Sequence, residues 1–329
     1  MVKFEGVKTS KKLGKLGGDT GVGVAVKINA EVVSAEYVKD DKGKAKLSSG
    51  GNKQVALNCK TEKDFKKTDG AIVKIATYFN ANYFESDYSP KLKDVKPSDK
   101  LKKFVEVNYN TGGVDKNGGL PFGNFKVRNY EGQDGFPKTA ISIFGGNIQQ
   151  AIKKDGIYTI KDFEGKDSVF TVSENIRVSL KGFIEPIVNT EKFITNNYDE
   201  ESKTLKFNMY YLQNDNEYNL IMPMMLENIE REKVFKFIDF VKKAENTIIG
   251  VKGSVKKSPI YGEPEEDESS EFGEYNYGGL TAVGWEASIV IDFDAEKDNW
   301  IIAKTKNTGS IIISSEEVPI AEVKEEDVF

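Results

Sequence analysis

The stretch Gly23 to Val38, GVAVKINAEVVSAEYV, carries the reading of the fold. Val24, Val26, Ile28, Ala30 and Val32 alternate with Lys27, Asn29 and Glu31, which is the period-two pattern of a strand with one buried face. At Val32-Val33 the phase slips by one residue. Val33, Ala35 and Tyr37 become the apolar set, and Ser34 and Glu36 the polar one. A one-residue slip is what a β-bulge produces, because the extra residue turns every later side chain to the other face. The segment is therefore read as one long strand, bent at Val32-Val33, with its two halves facing different surroundings.

Short β segments dominate on both sides of it. Lys53 to Lys60 places Val55, Leu57 and Cys59 inward, and Ile72 to Phe79 follows. Residues 80–103 read as irregular. Phe104 to Tyr109, Phe122 to Tyr130 and Thr139 to Phe144 are further strands. Asn147 to Lys154 reads as a short helix ended by Gly156. Ile157 to Ile160, Ser168 to Val172, Ile176 to Gly182 and Leu205 to Tyr211 return to β. One long amphipathic helix is expected at about Leu226 to Ala244, with Ile229, Val234, Phe237, Ile238 and Val241 on one face. Thr247 to Pro259 and Gly284 to Phe293 form an expected strand pair. Their connection, Glu263 to Glu274, has seven acids in twelve residues and reads as a mobile acidic loop. Trp300 to Ala303 and Ile311 to Ile313 close the fold. No internal repeat is visible. The fold class is mainly β with minor α. A long first strand that serves two sheets suits an oligonucleotide-binding (OB) type barrel core with large insertions, and a bent strand in a β-sandwich fits equally well.

Composition sets bounds on chemistry. The 329 residues are 38% hydrophobic and 11% aromatic, enough for a core. There is no histidine and one cysteine, Cys59. Disulfides within the chain, Cys/His zinc sites and Ser-His-Asp or Cys-His catalysis are thereby excluded. No membrane-spanning run or secretory signal is expected, and the single cysteine suits a reducing, cytoplasmic setting. No cofactor is implied. Charge is divided along the chain. Residues 1–150 hold 26 Lys+Arg against 17 Asp+Glu, whereas the remainder holds 21 against 35. Residues 1–22 carry five lysines and many glycines and read as a flexible basic arm. No Gly-Lys-Ser/Thr follows those glycines, so they are not a phosphate loop. The body spans 23–313, and 314–329 is an acidic tail with six acids against Lys324, expected to be disordered.

A basic front and an acidic back suit a nucleic-acid binder with a regulatory tail. In the body, rings and cations are interleaved: Lys53, Lys60, Lys74, Tyr78, Phe79, Tyr83, Phe84, Lys102, Lys103, Tyr109, Phe122, Phe125, Lys126, Arg128 and Tyr130. Rings that stack on bases and cations that neutralise phosphates hold a single strand without reading its sequence. Any one of these rings is more often a core residue than a platform, but the set agrees with the charge division. Only Arg128, Arg177 and Arg231 are arginines, which disfavours bidentate base readout. Asp292 and Asp294, with Glu296 and Asp298, are the only carboxylate cluster at a strand end. They offer a second reading, a Mg²⁺-dependent nuclease, against the simpler one of a polar turn. A phage structural or assembly protein is a third.

The tail finishes Glu325-Glu326-Asp327-Val328-Phe329. In these five residues it resembles the single-stranded DNA-binding proteins of bacteria and tailed phages, whose acidic tails end on Phe. It departs from the bacterial form in having Val328 where Pro usually stands, which points to the phage type. The resemblance implies a non-enzymatic, sequence-independent single-stranded DNA binder in replication, recombination and repair. It also implies that replication and recombination proteins are recruited through Glu325, Glu326, Asp327 and Phe329.

Overall fold

A computed structural model describes residues 2–5, 23–66, 70–85, 103–110, 123–161, 165–184, 187–213, 218–243, 247–261, 282–296, 298–308 and 310–313. The first half contains β1 (Val2–Glu5), β2 (Gly23–Tyr37), β3 (Gln54–Lys66), β4 (Ile72–Phe84), β5 (Lys103–Asn110), β6 (Gly123–Glu131), β7 (Pro137–Gly145) and β8 (Asn147–Gln150). A small sheet follows: β9 (Ile152–Lys154), β10 (Ile157–Lys161) and β11 (Asp167–Val169). The second half contains β12 (Ile176–Ile184), α1 (Thr190–Asn197), β13 (Tyr198–Asp199), β14 (Thr204–Gln213), β15 (Tyr218–Leu226), α2 (Arg231–Lys243), β16 (Thr247–Tyr261) and β17 (Ala282–Ile291). It ends with β18 (Phe293–Asp294), β19 (Asn299–Trp300), β20 (Ile302–Thr308) and β21 (Ser310–Ile313).

Strand β2 bends where its sequence slips. Its ladder with β3 shifts register between Val32 and Ser34, so Val33 is the bulged residue. Before the bulge Val24, Val26, Ile28 and Ala30 are buried. Beyond it Ala35 packs against the core; Val33, the bulged residue, faces solvent, and Tyr37 is exposed at the strand's end. The bend lets β2 pair with β12 through Gly23–Lys27, with β5 through Ala25–Val32 and with β3 through Glu31–Tyr37.

The pairings close two circuits. In the first, β2 pairs β3, β3 pairs β4, and β4 runs parallel to β7. The chain continues from β7 through Gly145 and Gly146 into β8, which pairs β5, and β5 returns to β2. Gly146 sits at φ +84, and a Cβ there would lie 2.8 Å from the Asn108 carbonyl oxygen, so only glycine allows the kink that closes the ring. In the second circuit β12 pairs β14, β14 pairs β15, β15 runs parallel to β17, β17 pairs β16, and β16 returns to β12. Both follow one order: first, second, third, fifth, fourth and back to first, with the lone parallel pair joining third and fifth. The half of the chain expected as additions to one barrel thus repeats the pairing order of the other half.

Antiparallel β2–β12 pairing joins the circuits along their first strands. A second contact lies where the hairpin of β6 and β7 meets β17. The Asn129 side chain behaves there like a strand backbone: its Nδ2 donates to the Ala287 carbonyl at 3.0 Å and its Oδ1 accepts from the Ala287 N–H at 2.8 Å. The core runs through both circuits, from Ile28, Leu57, Val107, Phe125 and Ile143 to Ile176, Leu180, Met209, Met222 and Ile289.

Three expectations about elements are corrected. Residues 147–154 are strands, not a helix. Asn147–Gln150 completes the ladder on β5, and Asp155-Gly156, both at positive φ, make the tight two-residue turn from β9 to β10. The helix expected from Leu226 starts five residues later, at Arg231. Leu226 instead ends β15 opposite Leu205, and Asn228 at φ 54 reverses the chain before the helix can begin. Residues 80–84, read as irregular, continue β4. Helix α1 was not anticipated. It is capped by Asn189, whose Oδ1 accepts the Lys192 N–H at 3.0 Å. Within the segment read as a flexible arm, Val2–Glu5 pairs antiparallel with Ser310–Ile313. Residues 6–22, the Glu263–Glu274 loop and the 314–329 tail lie outside the described residues. Among those described, no helix is long and apolar enough to cross a membrane.

Candidate nucleic-acid interface

Strands β3 and β4 form a ribbon whose far half is exposed on both faces. Register assigns the faces. Phe65 lies opposite Val73 and Lys63 opposite Ile75 on one side, and Lys60 opposite Tyr78 and Asp64 opposite Lys74 on the other. Phe65 is 52% exposed and Tyr78 49%. A two-stranded ribbon without a core of its own leaves its rings open to a ligand. The cations beside Tyr78 are already engaged. Lys60 Nζ donates to Glu62 Oε1 at 2.6 Å and sits 3.4 Å from Glu31, and Lys74 Nζ donates to Glu62 Oε2 at 3.0 Å.

Those two hydrogen bonds, Lys60's first, hold the Glu62 carboxyl at about 2, against an ordinary 4.5. A folded-state value below the unfolded one contributes stability above pH 4.5, and that contribution is lost as pH falls towards 2. The stability advantage of the native protein over Glu62→Gln, read from denaturation midpoints, should therefore shrink across that window. At neutral pH the same variant releases Lys74, leaves Lys60 only its contact with Glu31, and should bind polyanions more tightly.

The second group of exposed rings lies where the circuits touch. On β6, Phe125 and Val127 point inward and Lys126, Arg128 and Tyr130 outward, as strand alternation requires. Tyr130 is 47% exposed, Phe136 48% and Trp285 43%. Gly284 lies against Pro137, where a Cβ would come within 2.5 Å of the Pro137 carbonyl oxygen, so Phe136 and Trp285 are each one residue from this contact. Lys257 Nζ stands 5.1 Å from the centre of the Trp285 ring, and burial pushes that ammonium's pKa down. Phe65, Phe136 and Trp285 were absent from the sequence-derived set. Phe65 and Trp285 continue the inward phase of β3 and β17, shared with Leu57 and Cys59 and with Ala287 and Ile289, so alternation alone assigns them to the core; Phe136 stands beside a turn.

Other members of that set are placed differently. Phe79, Tyr109 and Phe125 are 2%, 1% and 0% exposed, so none can offer its face to a base. They occupy the inward phase of β4, β5 and β6, and burial pushes the Tyr109 hydroxyl well above its ordinary value. Tyr83 is half-buried, with its hydroxyl raised to about 12 by burial, and Phe84 packs edge-on against Phe144 at 5.5 Å. Lys53 is exposed, 4.9 Å over the Tyr37 ring, and Lys103 is half-buried. Lys102, Phe122 and the tail residues Glu325, Glu326, Asp327 and Phe329 lie outside the described residues.

The carboxylates of the nuclease reading have other partners. Asp292 is held by both terminal nitrogens of Arg177. Asp294 accepts the Glu296 N–H at 3.1 Å, closing a turn. Among the described residues no group of three His, Cys, Asp or Glu could hold a metal. Cys59 is enclosed, its thiol raised to about 12 by burial.

Fold and surface together define a β-rich protein of two linked strand circuits with rings and cations on its outer faces. No family model matches the chain, and no curated protein matches it. Among solved structures it is similar to the wild-type single-stranded DNA binding protein from Thermus aquaticus, at 11% identity and a TM-score of 0.36, covering 76% of this chain and 98% of that one. It is also similar to a deletion mutant of that protein, at 12% identity and a TM-score of 0.34, covering 75% and 98%.

Proposed function

We propose that this protein binds single-stranded DNA without reading its sequence, on two OB-type barrels, and that it serves replication, recombination and repair. The five-strand order that both circuits share supports this reading, since the OB fold is a five-stranded Greek-key barrel that binds oligonucleotides on one strand face and the loops beside it. The observation that carries the reading is the outward placement of Tyr78 and Tyr130 beside cations, on strands whose inward phase is core. Such rings stack on any base, and lysines neutralise phosphates without base preference. The test is a fluorescence titration of oligo(dT), mixed single strands and duplex. Binding of single strands in preference to duplex, with little difference between sequences, is expected; equal or tighter duplex binding overturns the reading.

The acidic segment 314–329 completes the proposal by recruiting partner enzymes through Glu325, Glu326, Asp327 and Phe329. A segment of net charge −5 tethered to a basic surface competes with phosphate for the same lysines. Its deletion should tighten DNA binding, most at low salt where screening is weak. Phe329→Ala should leave DNA affinity unchanged and abolish capture of replication proteins in a pull-down. Retained capture would sink the recruiting role.

A further inference from the structure

The seam where the two circuits join carries a row of cations. Lys27 on β2 stands directly opposite Arg177 on β12, with Asn108 beyond Lys27 and Ser254 beyond Arg177. One step along, Ser179 pairs with Lys252. Lys27, Asn108, Arg177, Ser179 and Lys252 line a cavity of about 220 Å³. Like charges directly opposite on neighbouring strands repel, and here each of the two is compensated by its own carboxylate. Each cation is held from the side away from the other. Lys27 Nζ lies 3.0 Å from Glu106 Oε2, and Arg177 grips Asp292 while donating to Ser254 Oγ at 2.9 Å. The two side chains remain 56% and 57% exposed. The row thus reads acid, base, base, acid, with the open cavity beside the two bases and Lys252 as a third cation.

We propose that this seam is a phosphate-binding site, and that its occupant is one backbone phosphate of a strand passing from the first circuit to the second. The proposal rests on the reading of the protein as a single-stranded DNA binder, and it assigns to the seam a contact that neither circuit could make alone. Glu106 and Asp292 hold the cations in place until phosphate arrives. The guanidinium's planar fork suits two phosphate oxygens, and the ammoniums of Lys27 and Lys252 supply point charges. Because β2 and β12 are hydrogen-bonded, the site has a fixed geometry and sets the path of the strand between circuits.

The experiment uses the full chain and charge-balanced variants, Arg177→Gln with Asp292→Asn and Lys27→Gln with Glu106→Gln, so that net charge is unchanged. Thermal melts of each variant establish that it is folded. Oligo(dT) of about 8 nucleotides, short enough for one barrel, and of about 30, long enough for both, is titrated across a salt series. For the long oligonucleotide, each variant should lower the slope of log K against log salt by about 0.7, one phosphate contact. The short one should show no change. Separately, pyrophosphate should raise the melting temperature of the native protein and not of the variants. If the native protein fails to bind DNA but pyrophosphate still discriminates, the seam is a site for free phosphate and the DNA reading fails by itself. If the native protein binds DNA, while folded variants keep its slope and its response to pyrophosphate, the seam inference is overturned and the DNA reading stands.

Discussion

Phe125→Ala should destabilise the protein by about 3–5 kcal/mol, whereas Tyr130→Ala, on the same strand, should change stability by less than about 0.5 kcal/mol. The expected effects on DNA binding are reversed. Phe125 is fully buried in the core, on β6 opposite the buried Ile143, so truncation removes a ring's worth of buried surface and leaves a cavity. Once the fraction unfolded is accounted for, oligo(dT) affinity should be unaltered. Tyr130 is nearly half exposed at the contact between the circuits. Its loss should cost about 1–3 kcal/mol of binding if it stacks on a base, about 5- to 150-fold in affinity. Tyr78 on the ribbon should behave as Tyr130 does, and Phe79, its buried neighbour, as Phe125 does. Guanidinium denaturation and fluorescence anisotropy on the four variants separate the two effects. A folded Tyr130→Ala protein that binds normally would remove that ring from the interface.

Affinity for oligo(dT) should fall by about fifty-fold between about 50 and 200 mM salt, if about four phosphates are neutralised at about 0.7 counterions each. Cations outnumber acids only in residues 1–150, and the ones at hand are almost all lysines. Lysine contacts phosphate as a point charge and releases condensed counterions when it does so. Several of these lysines are already paired in the free protein: Lys60 and Lys74 with Glu62, and Lys27 with Glu106. Such pairs must exchange for phosphate, and the slope should therefore steepen in Glu62→Gln. A flat salt dependence in the native protein would show that phosphate contacts do not drive the association.

The periodic signals in the sequence were read correctly where they were local. The alternation of Val24 to Ala30, the slip at Val32-Val33 and the apolar face Val234, Phe237, Ile238 and Val241 each follow from neighbours a few residues apart, and the backbone expresses them directly. The alternation in β6 also held the answer about its rings, since Phe125 shares a phase with Val127 and Tyr130 does not. Counting aromatics without their phase obscured it. Other features were decided only by distant pairings. The strand at Asn147–Gln150 exists because β5 offers it a ladder, and Leu226 is β because Leu205 lies opposite. The parallel joins of β4 with β7 and of β15 with β17 each bring together segments about 60 residues apart, so no local pattern announces that either circuit closes or that the order repeats. The same holds for the seam. Lys27 and Arg177 are 150 residues apart in the chain, and only the β2–β12 ladder sets them face to face. Side-chain periodicity fixes which face of a strand is apolar; the long-range hydrogen-bond ladder decides what that face meets.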